Sequence, residues 1–229
     1  MIDYNYPNHK EFINYLFSIK DEKYKDFSSK IANSNYPLIG IKLPILKEIA
    51  KAISKQDTYL YFNNCTFTYF EEIMIYGFLL KYLNSTTEII NYFKIFVEKI
   101  DSWSFTDSII ADLRIVKKHK EQFLEFINTL FTNKEFVARS GYIFLLDYFI
   151  EDKYLDIIIE KLNLDYDFYY VNMAKAWLLS VMYIKFPNKV IEFLKVCKNN
   201  FVVNKTISKI RDSYRVSSLD KQKLTEYKR

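Results

Sequence analysis

The stretch "YYVNMAKAWLLSVMYIKF", residues 169–186, decides the class of fold. Its apolar residues recur at the spacing of a helix face, and they predict one long helix over 168–185. Pro187 follows, where proline fits just inside the start of another helix. Within the stretch, Ala174, Ala176 and Ser180 are small enough to leave space around the Trp177 indole. No alternating apolar and polar pattern lasts here or anywhere else in the chain.

The same periodicity extends outward in both directions. Ile49, Ala50 and Ile53 follow Pro44. Phe70, Ile73, Met74, Gly77, Phe78 and Leu80 predict a buried helix at about 67–83. Ile89, Ile90, Phe93, Phe96, Val97 and Ile100 predict the next one. Further apolar faces cover 121–131, 134–150, 153–161, 187–199 and 203–214. The breaks between them are short, with Ser85 or Thr86, Asn133 and Asn188 as candidate caps. The chain therefore reads as about twelve or thirteen antiparallel helices, paired at roughly 35–40 residues, the scale of HEAT or armadillo repeats. The expected fold is all-α, an α-α superhelix of HEAT-like repeats. It would form one domain over residues 1–229, curved like a solenoid with a basic concave cleft. A compact helical bundle is the structural alternative.

Composition narrows the function. Half of the 229 residues are hydrophobic, with 20 Tyr and 20 Phe, so the chain is not disordered. Only 3 Gly and 4 Pro are present, which argues against an all-β fold and a glycine-rich phosphate loop. His9 and His119 are the only histidines, so a zinc site or a Ser-His-Asp triad lacks raw material. No metal and no cofactor is expected. Cys65 and Cys197 stand apart and are expected as buried, reduced thiols. Charges interrupt every apolar run well before it could span a membrane, which points to the cytoplasm. Net charge is +5, yet residues 198–229 alone hold nine Lys/Arg against three acidic residues. A basic end on a near-neutral body suits a polyanion, although a solubilising tail has the same composition.

Four side chains could carry chemistry. In "IDSWSFTDSIIADL", residues 100–113, Trp103 and Asp107 share a face, one turn apart, of the helix expected to start near Ser102. Arg139 sits in the apolar stretch "KEFVARSGYIFLLDYFI", where a charge must reach solvent or a partner. Trp177 is the fourth. Each has an ordinary reading: core packing for the tryptophans, a first-turn amide acceptor for Asp107, and an ion pair with Glu135 or Asp147 for Arg139.

Taken in order, Trp-x3-Asp, then Arg, then Trp, the residues resemble the AlkD-type DNA alkylation repair family of HEAT-like repeat glycosylases. "YPLIGIKLPILKEIAKAI" (36–53), "YYVNMAKAW" (169–177) and "NKTISKIRDSYRVS" (204–217) are similar to other segments of that family. The likeness covers about residues 20–220. One segment departs: "KYKDFSSKIANSNYPLIG" (23–40), at the place of the family's minor-groove helix, reads as short. It offers Lys30, Asn33, Asn35 and Tyr36 to a groove. "EKYKDFSSK", "YYVNMAKAW" and "NKTISKIRDSYRV" look more like a paralogous branch.

The resemblance implies hydrolysis of the N-glycosidic bond of purines alkylated on ring nitrogens, such as 3-alkyladenine and 7-alkylguanine. Such bases are cationic and already good leaving groups, so no general acid is required. Asp107 is implied as the carboxylate that stabilises the oxocarbenium-like sugar and orients water. Trp103 and Trp177 are implied to flank the cationic nucleotide, and Arg139 to grip a phosphate. Lys205, Lys209, Arg211 and Arg215 would add sequence-independent backbone contacts. The implied partner is alkylated double-stranded DNA, bound by a monomer. A DNA-binding relative with little or no excision, and a protein-binding helical scaffold, are the alternatives.

Overall fold

The computed structural model describes residues 9–229, and every regular element among them is helical. The chain divides into two units, one up to Phe123 and one from Leu124 to Arg229.

The first unit contains α1 (His9–Ser18), α2 (Glu22–Ala32), α3 (Leu43–Ser54), α4 (Thr58–Asn64), α5 (Phe70–Leu79), α6 (Thr86–Val97) and α7 (Trp103–Ile110). α8 (Lys120–Asn128) runs through the division. All ten residues of α5 are buried, so this helix has no solvent face and needs neighbours on every side. It packs on α3 and α7 as well as on α4 and α6. A Cβ on Gly77 would lie 2.6 Å from Ile109, so glycine is what lets α5 and α7 approach this closely.

Two buried acids open α5, and each closes a loop. Glu71 accepts backbone N–H bonds from Ile39, Gly40 and Ile41 at 2.7–3.2 Å. Gly40 has φ +105°, and a side chain there would strike Lys25 and the Asp21 carbonyl. This explains the glycine in "YPLIGIKLP": the left-handed turn presents three amides to one carboxylate. Pro44 then occupies the first turn of α3. Glu72 accepts from the N–H groups of Thr66, Thr68 and Tyr69, from the Thr66 hydroxyl, and lies 2.6 Å from His9 Nε2. Burial pushes its pKa up, but His9 and these donors outweigh that and hold it below the usual carboxylate range.

The second unit contains α9 (Glu135–Tyr148), α10 (Leu155–Leu162), α11 (Tyr169–Lys185), α12 (Pro187–Val196), α13 (Asn200–Asp212) and α14 (Ser218–Lys223). α11 is the long helix read from 168–185, and it packs against both α9 and α13. In each unit, then, alternate helices pack in series: α3, α5, α7 in the first and α9, α11, α13 in the second. Stacked helix pairs produce this pattern.

Fourteen α-helices among the described residues slightly exceed the expected number, because short pieces such as the seven-residue α4 count separately. Ser85 does cap α6, accepting from the Glu88 N–H. Asn133 does not cap α9: Lys134 occupies that position without a side-chain bond. Asn188 is no cap either. Pro187 takes the first helical position, which leaves the N-cap to Phe186. The basic segment after 198 is not a loose tail, since α13, α14 and a 3₁₀ turn at Leu224–Tyr227 order it. The Arg229 guanidinium donates to the carbonyls of Leu194 and Lys195, both at 2.9 Å, and of Cys197, closing the end of α12.

Candidate functional site

Of the eight residues read as contacts to base, sugar or phosphate, seven lie on the alternate helices α7, α9, α11 and α13, and Arg215 lies just past α13. Lys30 is on α2, and Asn33, Asn35 and Tyr36 follow it.

α7 begins where the sequence places it. Ser102 is its N-cap and accepts from the Ser104 N–H at 3.3 Å, so the capping role open to Asp107 belongs to Ser102. Phe105, Thr106, Ile109 and Ile110 are buried, while Trp103, Ser104, Asp107 and Ser108 remain half-exposed. Trp103 and Asp107 thus share the open face. The Thr106 hydroxyl lies 2.7 Å from Asp107 Oδ1 and 2.8 Å from the Trp103 carbonyl. One proton serves two acceptors, which ties the carboxylate to the backbone of its own first turn.

Both ends of α7 are stapled. The Trp103 indole N–H donates to the Ile31 carbonyl at 3.1 Å, and Ser102 donates to the Ala32 carbonyl. Asp101 accepts from the Ser34 hydroxyl and the Asn35 N–H, both at 2.6 Å, spending its charge on the turn that leaves α2. Past the other end, Asp112 pairs with Lys47 at 3.0 Å and Lys81 at 3.2 Å. Burial raises the Asp112 pKa, but the two lysines prevail and keep it low.

α2 is where the structure adds most to the sequence reading. The segment read as short forms an 11-residue helix, capped by Asp21 and ended by Asn33 in the left-handed conformation. Its Phe27 and Ile31 are 62% and 45% exposed, large apolar side chains facing water. Both line an apolar cleft of about 130 Å³ whose far wall includes Trp103. Sequence reading missed this ridge. Its signal was the i, i+4 spacing of Phe27 and Ile31 in an otherwise polar helix.

In the second unit, Arg139 is buried, with 4% of its surface exposed, and its Nη1 donates to the Tyr170 carbonyl at 2.7 Å. Glu135, one turn earlier on α9, accepts the Tyr170 N–H at 2.7 Å. The pair holds both backbone groups of one residue at the start of α11. Trp177 is half-exposed, and the Lys209 ammonium stands 5.8 Å from its ring centre. That is cation–π range, so α13 already supplies this indole with a cation. Lys205 stands 5.7 Å from the Phe201 ring. Lys205 and Lys209 share a face of α13, whereas Arg211 lies about 200° round from Lys209. Arg211 and Arg215 are exposed.

Other expectations fare as follows. Neither cysteine is in a disulfide, and both are half-buried rather than fully buried. Burial pushes the Cys65 thiol up to about 12. Among the described residues, no cluster of three or more His, Cys, Asp or Glu is placed to hold a metal ion. No helix among them is long and apolar enough to cross a membrane.

A family model described as "DNA alkylation repair enzyme" matches residues 13–210, which include every helix named above except α14 and the first residues of α1 and last of α13. No curated protein and no solved structure matches the chain.

Proposed function

Because the chain belongs to the DNA alkylation repair enzyme family, we propose that it is a DNA glycosylase acting on cationic alkylated purines. The observation that carries this reading is the open face of α7, where Trp103 and Asp107 are half-exposed on a helix stapled at both ends. In the proposed reaction the N-glycosidic bond breaks and its electron pair neutralises the departing purine. Positive charge moves to the sugar. The Asp107 carboxylate stabilises that charge, and water adds at C1′ and gives up its proton. A stapled helix keeps the carboxylate from reorganising as charge develops, which is where fixed electrostatics lower a barrier.

Trp103 offers its ring to the cationic base or sugar, with its N–H engaged by Ile31. Trp177 plays the matching part in the second unit, and Lys209 leaves its ring for a phosphate when DNA arrives. Arg139, largely committed to Tyr170, presents only an edge of its guanidinium to the backbone. Lys205, Arg211 and Arg215 add phosphate contacts. In this reading the protein works as a cytoplasmic monomer without cofactor.

The test is release of 3-methyladenine and 7-methylguanine from methylated duplex DNA. The native protein should release base. Asp107→Asn should lower the rate by at least about a hundredfold while leaving duplex affinity within about threefold. Affinity should fall steeply with salt. Salt-dependent binding without release by the native protein selects the DNA-binding relative, and no DNA affinity selects the scaffold.

A further inference from the structure

The loop between α10 and α11 and the start of α13 line an open cavity of about 590 Å³ in the second unit. Its walls are aromatic. Tyr166 and Phe168 stack at 6.3 Å and 28°, and Tyr169 meets Phe201 edge-on at 5.6 Å. Asp165 and Asp167, both exposed, bring two carboxylates to its rim.

Asn172, 8% exposed, is also among the cavity's lining residues. Its Nδ2 donates to the Tyr166 carbonyl at 2.8 Å, but its Oδ1 is buried and has no hydrogen-bond partner. An orphaned buried acceptor costs about 1–3 kcal/mol, so it marks a place where a donor belongs. Tyr169, 56% exposed, is the most exposed of the aromatic walls.

We propose that this cavity binds a guanidinium group. Aromatic faces attract a cation and accept its flat face, carboxylates pair with it, and an N–H donor is what the orphaned oxygen lacks. A guanidinium satisfies all three at once because it is planar and carries five N–H donors in a fixed fork. These rings already attract cations: the buried Lys175 stands 5.2 Å from Tyr166 and Lys205 stands 5.7 Å from Phe201. Those two ammonium groups offset part of the carboxylates' charge, so affinity for a lone guanidinium is modest. The proposal involves neither α7 nor DNA, and it stands or falls apart from the glycosylase reading.

The experiment titrates Nα-acetyl-arginine amide into the full chain and follows backbone and side-chain amide resonances by NMR. Saturable shifts at Asn172, Tyr166 and Tyr169 are expected, with a dissociation constant of about 1–10 mM. The neutral isostere Nα-acetyl-citrulline amide should bind at least about tenfold more weakly. Nα-acetyl-arginine amide should also bind the Asp165→Asn/Asp167→Asn double variant, changed only at exposed side chains, at least about tenfold more weakly than the unchanged chain. Tighter binding of an arginine-containing tripeptide than of free arginine identifies a protein side chain as the source; the reverse identifies a small molecule. No saturation by about 20 mM, equal citrulline binding, or an unaffected double variant would each overturn the proposal.

Discussion

α7 and α11 each carry one half-exposed tryptophan, and the chain treats the two differently. Trp103 is anchored through its N–H to the Ile31 carbonyl, and its ring borders a cleft with exposed Phe27 and Ile31. Trp177 has Lys209 over its ring. Polar groups near α7 fix a helix and leave a carboxylate on its open face. Polar groups near α11 are drawn into the packing: Arg139 and Glu135 clamp Tyr170, and Lys175 donates from a buried position to the Leu164 carbonyl. An aromatic–cation pair or a buried arginine can therefore be part of the architecture, and spacing in the sequence does not separate that role from ligand binding.

The sharpest way to break this comparison is stability. Arg139→Ala should lower the unfolding free energy by about 3 kcal/mol, from the lost Tyr170 bond and the space left behind. Asp107→Asn, on an open face, should cost less than about 1 kcal/mol. Urea denaturation compares the two, and equal effects would mean that Arg139 is no strut.

The units should also differ in pH response. Glu72 titrates below its ordinary range in the folded chain, so its contribution is present at neutral pH and is lost as pH falls through that depressed value. Glu72→Gln should cost about 2 kcal/mol at pH 7 and flatten the acid limb of a stability profile. Lys175 behaves in the opposite sense. Burial lowers its pKa from 10.5 to about 8, so the folded chain sheds this proton first and stability gains as pH rises through that interval. A Lys175→Met variant should lose that gain, read as the difference in thermal midpoint between pH 7.5 and pH 10. A native profile flat over this range would remove the distinction between the units.

Smaller effects refine it. Trp103→Phe keeps an aromatic ring but drops the Ile31 bond, at about 1 kcal/mol. If its stability is unchanged, the anchor is not one. Lys209→Met should barely alter stability, yet it should reduce the slope of log K against log salt for duplex DNA by about one. An unchanged slope would leave Lys209 on Trp177 even when DNA is bound.

Much of the fold was legible. Helix α11 was readable to within a residue because its apolar period is long and Pro187 ends the ambiguity. The Ser102 start of α7 was equally plain. Caps were less so: Asn133 looked suitable, but the chain turns one residue later, and a cap depends on backbone angles that composition does not carry. The polar partners of Arg139 were half legible. Glu135 was a candidate, yet it serves the Tyr170 N–H, and Arg139 reaches the same residue's carbonyl.

The sequence by itself determined that the chain is helical, which helices carry the tryptophans, and that Trp103 and Asp107 share a face. Local rules sufficed for this, since a helix fixes the direction of every side chain along its own axis. Only the tertiary structure decided what surrounds those side chains. That Ile31 anchors Trp103, that Lys209 stands over Trp177, and that Asn172 lacks a donor all depend on segments distant in the chain. Their meeting is set by the packing of whole helices, and no period within one helix encodes it.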